Sequence, residues 1–412
     1  MSTIHVQPIG ESLYNFQSAL KQSGDSLEGF MRQVYLDKWL GDSLYHAMAI
    51  RTTMVNAMHV FLTEYGLHNM ERVSLSPVTD PLAHDIEHTP GISYKGHQYV
   101  ATHSMIYSKF LACMNPKTKG IFVDSPNIRL ELESPTGEQR GKYLIDFSQM
   151  DIELRRKHQI PLDEYLNKPE KVTKLLREEM ESALEFFEKL LIAAVGAAVA
   201  KNEDDMKALG IAMEVPKSPF PRFMKTEATA KYKGGHLEQV LGQEAGSQFF
   251  WIIGLLRENY DLVYPYLKAD GSRFPLSSFT SDRIFNYDIC AQSIQRDTGS
   301  YGAAYEIASG ALREWLFEPI VERLIDNRVL AVRPRIVDGC LENIDELEGY
   351  GPFLMAVAAK GADGRPLFPA TFGGGIGVER MLFALLKGDK IRKVDDVTLF
   401  GKNPDSHPIY LY

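Results

Sequence analysis

The sequence predicts an α+β fold, a single mixed domain with an antiparallel sheet flanked by helices. Three observations predict it. Apolar residues recur at helical spacing in residues 51–77 and 161–202. Strand-like runs broken by a turn-rich loop fill residues 119–154, and strands return in the last third beside a glycine-rich turn. The order is therefore helix, strands, helices, strands, which does not suit alternating βαβ units.

Residues 1–50 carry helix-like patterning (Leu13, Phe16, Leu20, then Leu27, Phe30, Met31, Val34) and are read as a helical N-terminal extension. In Arg51–Pro77, Met54, Met58, Phe61, Leu62 and Tyr65 share one helical face. Gly66 suits a left-handed cap, and Met70–Leu75 is a candidate strand. The runs GIFVDS, NIRLELE and YLIDFSQMDIEL form a hairpin around the loop Ser134–Gly141. Residues 161–202 are helical. Their apolar run Leu190–Ala200 falls short of the roughly 20 residues that cross a bilayer, so it reads as a buried helix. Residues 203–280 are punctuated by Pro216, Pro219, Pro221 and Pro275, and the whole of 161–280 is expected as a helical and irregular insertion. A helix over Ala303–Asp326, strands near Arg333–Asp338 and a glycine turn into a helix over Phe372–Leu386 complete a domain spanning 51–412.

The 412 residues carry 45 Lys+Arg against 54 Asp+Glu, a formal charge of -9, which gives no support to a broad basic nucleic-acid footprint. Cys113, Cys290 and Cys340 are far apart with no C-x-x-C, which disfavours a disulfide framework or a cysteine zinc site and fits a reducing cytoplasm. The first residues, MSTIHVQPIGES, lack a basic segment followed by an apolar run, so no signal peptide and no membrane association are expected.

Three segments carry chemistry. In FGGGIGVERM, glycines let a backbone lie against a ligand, and Arg380 stands in the first turn of the following helix, where it could clamp phosphate oxygens. In the hairpin, Arg129, Glu131, Phe147, Asp151 and Glu153 fall on one face at period two, a cation, a ring and carboxylates suited to a nucleotide. In YEIASGALREWLF, Glu306 and Arg313 are seven apart and share a face if the stretch is helical. Each segment alone has a plainer reading: a tight turn with a solvated arginine, the polar face of a half-exposed sheet, a surface ion pair.

Together they resemble the catalytic core of class II aminoacyl-tRNA synthetases, in the aspartyl/asparaginyl subgroup. RTTMVNAMHVFLTEYGLHNMERVSLSP is similar to motif 1, PNIRLE with YLIDFSQMDIEL to motif 2, and GGGIGVERMLFALL with IRKVDDVTLF to motif 3. YEIASGALR resembles the subgroup's Glu-x-x-Ser-Gly-x-x-Arg stretch, and HSMIYSKF its Ser-Pro-Gln-x-x-Lys segment. The likeness runs from about residue 51 to about residue 403.

The resemblance implies binding of ATP and Mg²⁺ and formation of an aminoacyl-adenylate. Arg129 would hold the α-phosphate and the activated carboxylate, Arg380 the γ-phosphate end of a bent ATP. Phe147 would stack on adenine over Gly375 and Gly377, with Glu131 counted in the same ATP site. Glu306 and Asp288 would bind the metal, with Asp297 a rival for Asp288. Asp151 would hold the α-amino group, Gln149 belongs to the substrate site, and Ser309 assists at the metal or phosphate. Lys109 and Arg313 would receive a side-chain carboxylate, which favours aspartate over asparagine. A homodimer is expected from motif 1.

The chain also departs from the subgroup. Residues 1–50 are too short and too helical for an OB anticodon-binding barrel, which points to a free-standing paralogue. Tyr143 stands for a family His, Met105 and Ile106 for Pro and Gln, and Tyr305 for a Glu. An extra stretch separates Asp288 from Glu306. The expected function is a ligase that passes the acyl group to ammonia or another small nucleophile, similar to the asparagine synthetases of this fold. The alternatives are charging of a tRNA acceptor end and a non-catalytic amino-acid- or tRNA-binding regulator.

Overall fold

The computed structural model describes Gly29 and residues 35–80, 89–131, 141–233, 236–255, 260–275, 278–337 and 339–405. Most of the helical patterning expected before residue 35, and the loop expected at Ser134–Gly141 apart from Gly141 itself, lie outside the described residues.

The first long helix, α1 (Asp42–Glu64), runs through the expected boundary at residue 50/51 without a break. It buries Leu44, Ala47, Ile50, Met54, Met58 and Leu62, an i, i+3/i+4 stripe that begins before the motif 1 segment. Gly66 follows with φ 91°. The strand expected at Met70–Leu75 is two short pieces, His68–Asn69 and Leu75–Ser76. A short helix, α2 (Ile106–Ala112), precedes the expected hairpin of β1 (Gly120–Ile128) and β2 (Asp146–Arg155). Then comes α3 (Pro169–Lys201), with proline in its first turn, where a missing N–H costs nothing.

The remaining principal elements are β3 (Arg222–Met224), α4 (Leu237–Ala245), β4 (Phe249–Ile253), β5 (Asn286–Gln295), β6 (Tyr301–Leu312), α5 (Phe317–Asp326), β7 (Thr371–Gly377) and α6 (Val378–Leu386). They form a nine-stranded sheet in the order His68–Asn69, β1, β2, β7, β6, β5, β4, β3, with Ile211–Ala212 added on β5. Every pairing from β1 to β4 is antiparallel, as expected, and the two end pairings are parallel.

Two expectations are corrected here. The stretch 161–280 is not only helical and irregular: it supplies β3, β4 and Ile211–Ala212 to the sheet. Ala303–Asp326 is not one helix but β6 followed by α5. The small residues of GAAYEIASGAL have no strong helical stripe, and hydrogen-bonded neighbours on both edges, β5 and β7, settle the strand.

The core lies against one face of the sheet. Phe187 of α3 packs on Tyr287 at 5.6 Å between ring centroids, and Phe186 on Phe372 at 6.1 Å. The opposite face is covered only in part. There α4 seats Leu241 in a small apolar cluster with Phe250, Ile252, Cys290 and Ala304. Beside it the sheet face is open over β2, β7 and β6. Among the described residues, no helix is long and apolar enough to cross a membrane.

Candidate active site

That open stretch of sheet is the floor of a cleft. Lys109, Arg129, Phe147, Gln149, Asp151, Glu306, Ser309, Arg313, Gly375, Gly377 and Arg380 all line it. The two arginines, 251 residues apart by subtraction of their numbers, thus face one space. Glu131 and Asp288 do not line it. Glu131 sits one bridge beyond β1, with its N–H bonded to the Arg129 carbonyl. Asp288 is buried in β5, paired in register with Ser309. Asp297 is exposed in the β5–β6 turn, so the stretch between Asp288 and Glu306 is the far end of a hairpin.

The strands aim these side chains by simple alternation. Phe147, Gln149 and Asp151 follow at period two on β2. Ser309 on β6 and Arg313, one residue past its end, are four apart and share a face. Glu306 is three from Ser309 and joins that face through a bulge, because Ile289 pairs with Ala308 but Cys290 with Glu306, leaving Ile307 as the extra residue. The shared face of Glu306 and Arg313 is therefore a strand-and-bulge property, not a helical one.

The glycines of β7 make room for carboxylates. Gly375 pairs with Asp151 and Gly373 with Glu153. A Cβ on Gly375 would stand 2.8 Å from Asp151 Oδ1, and one on Gly373 would stand 2.1 Å from Glu153 Oε2. At Gly377 a Cβ would meet nothing closer than 3.6 Å, so that position is bare toward the cleft rather than crowded from the neighbouring strand.

Each arginine lies against a ring. The Arg129 guanidinium is 5.2 Å from the Phe147 centroid and donates through Nε to the His103 carbonyl at 3.1 Å. Arg380 is 5.1 Å from the Tyr143 centroid, and its Nη1 is 3.9 Å from Glu306 Oε1. Next to Arg380, Glu379 turns inward and accepts the Ser148 N–H at 2.9 Å, with Arg51 at 3.6 Å. Its burial raises the carboxyl's pKa. Glu379 ties α6 to β2 and α1, and so fixes where Arg380 stands.

The other end of the cleft is a buried charge cluster. Lys109 Nζ donates to Asp151 Oδ1 at 2.7 Å, and both side chains are 2% exposed. Lys109 is thus no surface lysine: α2 delivers it to the sheet face. Asp151 Oδ2 is buried and has no hydrogen-bond partner among the described residues, an acceptor suited to an ammonium group. Arg313 Nη1 donates to Asp261 Oδ1 at 2.8 Å, and its Nε is 3.6 Å from Glu153 Oε1. Burial raises the Glu153 carboxyl's pKa, opposed by Arg313 and Lys109. Asp261 was invisible to sequence reasoning. It comes from the segment after β4, 52 residues from its partner, and no periodicity links the two.

No family model matches the sequence. The aspartate–tRNA(Asp/Asn) ligase of Methanococcus aeolicus is 21% identical over 214 residues, 52% of this chain and 41% of that protein, so the match spans about two fifths of that relative. Asparaginyl-tRNA synthetase from Pyrococcus horikoshii, solved with asparaginyl-adenylate, aligns with a TM-score of 0.62 over 95% of this chain and 74% of that chain, at 15% identity. The fold is that of the class II aminoacyl-tRNA synthetases. Aspartyl-tRNA synthetase from Entamoeba histolytica shares it with a TM-score of 0.54 over 87% of this chain and 58% of that one, at 16% identity. The structural likeness thus falls in the aspartyl/asparaginyl subgroup of the class II fold, where the motif resemblance also lies.

Proposed function

We propose that this chain is a ligase that binds ATP with Mg²⁺ and activates a small amino acid of the aspartate–asparagine kind as an acyl-adenylate. One observation carries the reading: Arg129 and Arg380, each against an aromatic ring, face a single cleft floored by Gly375 and Gly377. The Pyrococcus relative solved with asparaginyl-adenylate supports it.

In this reading Phe147 stacks on adenine, an interaction worth about 1–3 kcal/mol. Arg129 holds the α-phosphate and the reacting carboxylate, and Arg380 the far phosphates. Asp151 Oδ2 accepts from the α-ammonium, with Gln149 beside it. A carboxylate oxygen of the amino acid bonds to the α-phosphorus as the bond to pyrophosphate breaks. No protein nucleophile takes part, and the chain's contribution is positioning and charge neutralisation.

The residues present fit Mg²⁺. That cation takes one or two carboxylates plus phosphate oxygens and keeps several waters. Glu306 lines the cleft beside Ser309, and these two are the proposed ligands. Asp288, expected to join them, does not reach the cleft surface. Bound there, the cation would neutralise phosphate charge.

Lys109 and Arg313 already hold carboxylates, so the pair by itself no longer favours aspartate over asparagine. As acceptor, ammonia or another small nucleophile is proposed. A tRNA acceptor end is the second reading, favoured by the tRNA ligase named among the relatives. ATP–pyrophosphate exchange run with each amino acid is the test. Exchange dependent on aspartate or asparagine is expected, and silence with all amino acids would leave a binder rather than a ligase. Adding ammonia or bulk tRNA to the active mixture then sorts the acceptor.

A homodimer is also proposed, from the motif 1 resemblance and the exposure of Leu40, Tyr45, Met48 and Val60 on and beside α1. Light scattering is expected to give twice the chain mass of 46.4 kDa, and a monomer would remove the proposal.

A further inference from the structure

The amino-acid end of the cleft has more carboxylates than cations. Lys109 and Arg313 stand against Asp151, Asp261 and Glu153. Asp261 is the addition. It lines the cleft yet is only 1% exposed, and both its oxygens are engaged: Oδ1 accepts from Arg313 Nη1 at 2.8 Å and Oδ2 from Asn286 Nδ2 at 2.7 Å. Its backbone is held as well, by a bridge to Arg313. This carboxylate is built in, not a passing surface contact.

We infer that Asp261 is a specificity-determining residue, which makes this pocket select an uncharged amide side chain over a carboxylate. The inference rests on the adenylate-forming reading and deepens it. With Glu153 protonated, the two cations and the two remaining carboxylates match one for one; with Glu153 ionised, negative charge is in excess. The substrate's α-ammonium adds a positive charge beside Asp151, but at the side-chain end Arg313 is already engaged by Asp261, so a substrate side-chain carboxylate must share that guanidinium. Like charges crowded into a dry site repel strongly. An amide suits the same pair without conflict. Its carbonyl accepts from the Arg313 guanidinium, and its NH₂ donates to the Asp261 carboxylate. A site built on such a donor–acceptor pair rejects the analogue that cannot reproduce both bonds.

The test pairs two measurements on the full chain, each with aspartate and with asparagine: calorimetric binding with a non-hydrolysable ATP analogue and Mg²⁺, and ATP–pyrophosphate exchange. The native protein is expected to favour asparagine by about tenfold or more in affinity and in kcat/KM. Asp261→Asn is expected to move that ratio toward aspartate by about tenfold or more. The native preference is itself a readout, so a variant that fails to fold does not rescue the inference. Preference for aspartate in the native protein overturns the inference, as does an unmoved ratio in a folded Asp261→Asn, and exchange in either case leaves activation standing. Selective asparagine binding without exchange supports the role of Asp261 and removes activation. Binding of neither amino acid overturns both.

Discussion

Replacing Arg380 by alanine is expected to lower amino-acid-dependent ATP–pyrophosphate exchange by about 10²–10³-fold while leaving the protein folded. The two halves of that expectation have separate physical grounds. Arg380 stands in the first turn of α6 with its side chain 23% exposed, and the Glu306 carboxylate is 3.9 Å away. A partly exposed pair of that length contributes about 0–1 kcal/mol to stability, and the contact with the Tyr143 ring about as much. Folding therefore loses little. Catalysis loses a fixed cation at the place where pyrophosphate charge develops. Thermal melting checks the first half and exchange kinetics the second. Normal exchange in a folded Arg380→Ala protein would take this residue out of the mechanism.

How much of the site could be read from the chain follows from where each residue's constraint comes from. Phe147 and Asp151 were legible because a strand repeats every second residue, and the hairpin had both its strands and its turn in one stretch of 36 residues, 119–154, whereas Gln149 between them came from the resemblance. The buried face of α3 was legible for the same reason at helical period. Glu306 was placed on the right face for the wrong reason. A helix and a bulged strand both bring it round to Arg313, and only pairing with β5 reveals the bulge. Asp288 stands in register with Ser309 but does not line the cleft, because the resemblance gives a residue type near a metal, not which side chain reaches the surface of the cleft. Asp261 had no signal at all. Its place is set by the path of the chain between β4 and β5, where prolines mark irregular connections and local patterning says nothing of tertiary partners. The long-range ion pairs, not the motifs, thus determine the charge balance that a substrate meets.

The largest stability effect is expected at the Lys109–Asp151 pair. Lys109→Met should cost about 3–5 kcal/mol in urea unfolding, and much of that loss should return in the double variant Lys109→Met with Asp151→Leu. Separation and burial carry the argument: Nζ and Oδ1 are 2.7 Å apart with both side chains 2% exposed. A single replacement leaves a carboxylate buried without its cation. Here the effect is compounded, because Glu153 also loses the influence of Lys109 and is left to share Arg313 with Asp261. Removing both partners removes the uncompensated charge, and a methionine beside a leucine can fill the space, although Gly375 packs close to the carboxylate it faces and limits the shape that fits. The double variant also separates two roles for the pair. If the ion pair serves only to hold α2 against the sheet, exchange should recover along with stability. If Asp151 receives the substrate ammonium, the double variant should unfold near the native urea midpoint and still show no exchange. A double variant as unstable as Lys109→Met alone would mean that the cost lies in packing rather than in the buried charge.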